Sequence, residues 1–73
     1  MRANITSPSD LGRLVRHIRQ THELTQRDLA ARLGVSQRYL YELEAGKPKL
    51  ADERYFSLIR SLGIDLSATT RDG

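Results

Sequence analysis

Residues 25–46, TQRDLAARLGVSQRYLYELEAG, decide the fold, because they read as two short helices joined by a tight turn with the second helix presented outward. Thr25 caps the first helix and Asp28, three residues on, returns the bond, which is the spacing of a capping box. Leu29, Ala30 and Leu33 form one apolar stripe at helical spacing, and Gly34 supplies the left-handed position that ends the helix. Ser36 caps the second helix, in which Leu40 and Leu43 face inward with Val35 near the entry, and Gly46 closes it. Gln37, Arg38, Tyr41 and Glu42 are then left on the outer face. A short helix whose outer face begins Gln-Arg suits the DNA major groove, where Arg pairs bidentately with guanine and Gln with adenine.

Upstream, Ser7-Pro8-Ser9-Asp10 is a helix start, with Ser7 as cap, Pro8 at the first helical position and Asp10 as the returning acceptor. Leu11, Leu14, Val15 and Ile18 follow at i, i+3, i+4 and i+7, which predicts a first helix to about Thr21 with Arg13, Arg16 and Gln20 outside. Gly12 reads as a small residue that eases helix packing. Residues 1–6 have no periodic pattern and form either a flexible arm, with Arg2 able to touch DNA, or a frayed terminus.

Downstream, Lys47-Pro48-Lys49 cannot continue the helix and holds two cations in a short loop. A last helix is expected from about Ala51 or Asp52 to Leu62, with Asp52 as its cap, Tyr55, Phe56, Ile59 and Leu62 at core spacing and Gly63 as its stop. Residues 64–70 then alternate, which predicts a short strand with Ile64, Leu66 and Ala68 on one face. A lone strand needs a partner, and the simplest one is the same strand of a second subunit about a two-fold axis. The competing reading is a disordered tail. The domain proper is expected over 7–63, the dimer strand over 64–70 and a tail over 71–73.

Seventy-three residues make one small domain and leave no room for a separate catalytic lobe. Without cysteine there is neither a disulfide framework nor a thiolate metal site. The start MRANITSPSD lacks an apolar signal region and no apolar run approaches membrane-spanning length, so a cytoplasmic location is expected. The formal charge of +3 is too small by itself to argue for nucleic acid, but it is unevenly spread. Residues 1–49 hold nine Lys/Arg against five Asp/Glu, whereas residues 50–73 hold three against four. The basic excess therefore lies with the two-helix stretch. His17 and His22, the two histidines, point in different directions on a helix and have no carboxylate or Cys cluster to complete a metal site. No Gly-rich phosphate loop and no nucleophile-base-acid set is evident, so neither enzyme activity nor a cofactor is expected.

Leu24-Thr25-Gln26, Leu29-Ala30, Gly34 and Glu44-Ala45-Gly46 together resemble the helix-turn-helix of the phage-repressor and Cro family, the Xre type, over roughly residues 8–64. The resemblance implies an all-α, lambda-repressor-like domain, five-helix in the family and here four to five short helices, that binds operator DNA as a dimer. It implies that Gln37 and Arg38 read bases, that Tyr41 contacts a thymine methyl or a sugar and that Glu42 accepts from cytosine. Gln26, Arg27, Ser36, Lys47 and Lys49 match positions that hold the phosphate backbone. It also pairs Arg19 with Glu44, either as a partly buried ion pair or as an exposed one. Two positions depart from the pattern: Asp52 stands where an apolar residue is usual, and Tyr39 is bulkier than the small polar residue common there, packing inward or leaning on the backbone. The Ser-Pro start and the terminal strand after Leu-Gly-Ile look like the HipB-type antitoxins, which implies autoregulation and a HipA-type kinase toxin as partner. Only the tail, residues 71–73, follows the strand, so toxin contact would have to use the folded body.

Overall fold

The computed structural model describes residues 1–71 and consists of four helices, α1 (Pro8–Thr21), α2 (Gln26–Leu33), α3 (Gln37–Glu44) and α4 (Glu53–Ser61). Each begins where a side-chain oxygen can satisfy one of the free N–H groups of the first turn. Ser7 accepts from the Asp10 N–H, Thr25 from Asp28, Ser36 from Tyr39 and Asp52 from Tyr55. At α2 the return bond from the Thr25 N–H to the Asp28 carboxylate completes the capping box.

The four helices end alike. The chain turns left-handed at Glu23 (φ 55°), Gly34 (70°), Gly46 (84°) and Gly63 (77°). The next N–H then reaches back into the last turn, from Leu24 to Arg19, Val35 to Ala30, Lys47 to Glu42 and Ile64 to Ile59. Three of these stops are glycine because an L side chain is strained there.

Helix α3 sits between α1 and α2, packing against both. Leu11 and Val15 of α1, Leu29 and Ala30 of α2, Leu40 and Leu43 of α3, and Leu58 and Ile59 of α4 form one buried cluster. Val15, Leu40 and Ile59 are fully enclosed, and each such burial contributes about 1.5–3 kcal/mol relative to exposure. At Gly12 the α1 backbone comes so near the end of α3 that a Cβ would lie 2.5 Å from the Leu43 carbonyl oxygen and 2.6 Å from that of Glu44. Gly12 does more than ease packing: it sets the distance between the two helices.

There are four helices among the described residues, within the four to five expected. The structure corrects two expectations. In α4 the inward set is Tyr55, Leu58, Ile59 and Leu62, the i, i+3, i+4, i+7 row, which leaves Phe56 exposed and edge-on to the Tyr55 ring at 5.6 Å. No strand forms over residues 64–70. Ile64 gives its N–H to the end of α4 and packs on the core, while Leu66 and Ala68 are exposed; within one chain there is no facing edge for these residues to pair with. Asp72 and Gly73 of the expected tail lie outside the described residues. Among the described residues no helix is long and apolar enough to cross a membrane.

Candidate nucleic-acid interface

The outer face of α3 is built from its N-terminal turn. With Leu40 and Leu43 turned into the core, Gln37, Arg38 and Tyr41 stand in solvent, Arg38 with 85% of its side chain exposed. Glu42 differs from them. Its carboxylate lies 2.5 Å from the Lys49 ammonium, 3.6 Å from Arg38 Nε and 3.9 Å from Lys47 Nζ. The hydrogen bond from Lys49, and then the charges of Lys49, Arg38 and Lys47, hold its carboxyl below the usual carboxylate range against an opposing effect of burial. Three residues named separately in the sequence, Arg38, Lys47 and Lys49, are thus brought together around one anion. In this geometry Glu42 is the centre of the cation cluster rather than a free acceptor.

Tyr39 leans sideways and packs against the core cluster. Lys49 Nζ lies 4.6 Å and the Arg54 guanidinium 4.5 Å from its ring centroid. Arg54 is missing from the residues singled out by spacing, because it lies beyond Lys47-Pro48-Lys49 in α4 and reaches α3 only through the turn between them.

At the other end of α3, Arg19 grips Glu44 with two hydrogen bonds, Nε to Oε2 at 2.7 Å and Nη2 to Oε1 at 2.9 Å. Its remaining Nη1 donates to the Leu24 carbonyl at 2.9 Å, and Gln26 Nε2 donates to Glu44 Oε1 at 3.2 Å. The two charged side chains are 13% and 4% exposed, so the pair is the partly buried kind. The hydrogen bond to Glu44 raises the Arg19 pKa above its already high ordinary value, outweighing burial. Gln26 is therefore oriented by Glu44, and with Arg16, Arg19, Tyr41, Glu44 and Ala45 it lines a depression of about 280 Å³ joining the start of α2 to the outer face of α3. Arg27 is exposed in the first turn of α2. Ser36 is exposed too, with its hydroxyl engaged by the Tyr39 N–H at 3.0 Å. Of the two histidines, both are exposed, and no group of metal-ligating side chains gathers among the described residues.

An exposed, capped helix held at its far end by a second helix and flanked by cations is the arrangement of a DNA-reading element. Residues 15–68 match the helix-turn-helix family HTH_3. The chain belongs to that family. An uncharacterised HTH-type transcriptional regulator of Sinorhizobium fredii, y4mF, is 36% identical to this helix-turn-helix protein over 66 residues, which cover 90% of the chain and 87% of the relative. Among solved structures, a HipB chain in a HipA-HipB-O2-O3 complex superposes with a TM-score of 0.74 at 23% identity, covering 96% of this chain and 99% of that one. A HipB-O4 20mer complex gives a TM-score of 0.72 at 24% identity over 96% of this chain and 99% of that chain. These likenesses establish the fold of the four helices. The family and fold are those of DNA-binding transcriptional regulators.

Proposed function

We propose that this helix-turn-helix protein is a dimeric, sequence-specific repressor that binds an inverted repeat upstream of its own operon and serves as the antitoxin of a HipA-type kinase toxin. The observation that carries the DNA-reading part is the outer face of α3: Gln37, Arg38 and Tyr41 are exposed in a row, beside cations gathered by Glu42. Gln37 and Arg38 read bases in the major groove, Tyr41 meets a thymine methyl or sugar, and Glu42 chiefly orients Arg38 and the loop lysines. Gln26, Arg27, Ser36, Lys47 and Lys49 set the register on phosphates. In this reading Phe56 and Leu66, large apolar side chains left exposed in the C-terminal third, are where a second subunit packs. The toxin partner is supported by the shared fold with HipB chains, one of them solved in a complex with HipA.

The likeness to y4mF, described only as a transcriptional regulator, favours a second reading in which the protein regulates genes without a toxin. Anisotropy titration of a labelled duplex from the protein's own upstream region, against a scrambled duplex at physiological salt, tests the common part: a preference of about a thousandfold or more is expected. Equal weak binding to both would refute it and leave a protein-interaction module. Co-purification with a kinase-like protein encoded by the neighbouring reading frame separates the antitoxin from the plain regulator.

A further inference from the structure

Two cations share the Tyr39 ring, and among the described residues only one of them has a counter-ion. Lys49 is held by Glu42 at 2.5 Å, whereas Arg54, over the same ring, forms no ion pair among the described residues. The electron-rich face of a phenol attracts each cation and offsets part of their mutual repulsion. The ring itself is fixed in the first turn of α3, where the Tyr39 N–H donates to Ser36 and the side chain packs against the core. Arg54 is thus an exposed guanidinium with no carboxylate partner among the described residues, kept beside α3 by an aromatic platform. A planar fork of N–H donors in that state is matched to the paired oxygens of a phosphodiester.

We propose that Arg54 is a contact to the DNA backbone and that Tyr39 is the positioning residue that holds it, together with Lys49, alongside α3. This rests on the DNA-binding reading above and extends it to a residue outside the turn and the recognition helix. The contact is to a phosphate flanking the groove, so it adds affinity without adding base preference.

The test is the salt dependence of binding, followed by anisotropy on the upstream duplex and on a scrambled one. For the unmodified protein the logarithm of the binding constant should fall linearly with the logarithm of salt concentration. Arg54→Gln should reduce that slope by about one unit on both duplexes and leave the ratio between them unchanged. Tyr39→Phe, which keeps the ring, should retain the full slope; Tyr39→Leu should lower it at least as far as Arg54→Gln. A slope unchanged in Arg54→Gln overturns the contact, and a loss in Tyr39→Phe equal to that in Tyr39→Leu overturns the role of the ring. Arg54→Gln and Tyr39→Phe decide the matter even where Tyr39→Leu weakens folding, which thermal melts would show. No salt-dependent binding by the unmodified protein to either duplex would overturn the DNA-binding reading itself, an outcome distinct from an unchanged slope in Arg54→Gln.

Discussion

Arg19 spends its guanidinium on both oxygens of Glu44, at 2.7 and 2.9 Å, and on the Leu24 carbonyl at 2.9 Å, tying the end of α1 to the last residue of α3 and to the turn before α2. Glu44 is almost wholly enclosed, so removing Arg19 would strand a buried carboxylate. Arg19→Ala is expected to lose about 3–5 kcal/mol of folding stability in urea titration, against roughly 0–1 kcal/mol for an exposed pair. Replacing both partners with apolar side chains, Arg19→Met with Glu44→Leu, should recover most of the loss. An Arg19→Ala variant that melts like the parent would sink the argument.

Gly12 gives a prediction in which two effects have opposite signs. In a free helix Gly→Ala gains about 0.5–1 kcal/mol. Here the added methyl would sit 2.5 Å from the Leu43 carbonyl oxygen, which is backbone and cannot swing aside. Overpacking of this kind costs about 1–3 kcal/mol, so Gly12→Ala should lower the urea midpoint. A raised midpoint would mean that α1 and α3 can move apart freely.

Acid should weaken the fold in part through three carboxylates. Asp10 is held below its ordinary pKa first by the Thr6 hydroxyl, Asp28 first by the Thr25 hydroxyl, and Glu42 first by Lys49. Because these groups bind protons less readily folded than unfolded, their stabilisation is complete above the unfolded pKa of about 4 and is lost as pH falls through the lower folded values. Melting temperature should be flat with respect to these groups from neutral pH to about pH 5 and drop below about pH 4. A triple variant carrying Asp10→Asn, Asp28→Asn and Glu42→Gln should show a shallower acid limb.

Two cations should behave differently on DNA. Arg38→Ala is expected to lose about 1–3 kcal/mol on the cognate site and to relax the preference at one base pair. Lys47→Ala should weaken binding to every sequence alike and lower the salt slope by about one unit. Competition titrations against single-base variants of the site separate the two outcomes, and uniform weakening by Arg38→Ala would reassign it to the phosphates.

A two-fold dimer imposes a spacing. Recognition helices about 34 Å apart fit half-sites one helical turn apart, so inserting about five base pairs between half-sites should abolish tight binding in a gel-shift titration. Tight binding that survives the insertion would mean the two domains are not held in register.

The parts of this fold legible in the sequence are those written within a few residues. Ser7, Thr25, Ser36 and Asp52 each cap the helix that follows, because capping depends on a side chain and an N–H three residues away. Gly34, Gly46 and Gly63 mark stops for the same local reason. The end of α1 carries no such mark, since Glu23 takes the left-handed position without being glycine. What the sequence hid depends on residues meeting across the fold. Spacing showed that Lys47 and Lys49 are cations near α3, but not that Glu42 collects them or that Tyr39 joins Lys49 to Arg54. Alternation over residues 64–70 resembled a strand, yet strand formation requires a neighbouring edge that periodicity does not supply.

The carboxylate at the centre of the cation cluster bears on how such a protein searches a chromosome. In the proposed DNA-reading role, an approaching phosphate would meet Arg38, Lys47 and Lys49 with Glu42 already among them, so each phosphate contact would gain less than a free cation gives. Loose encounters are then short-lived, and sliding or hopping to the next segment is quick. On the proposed reading, the residence time would lengthen only where Arg38 also finds a base edge.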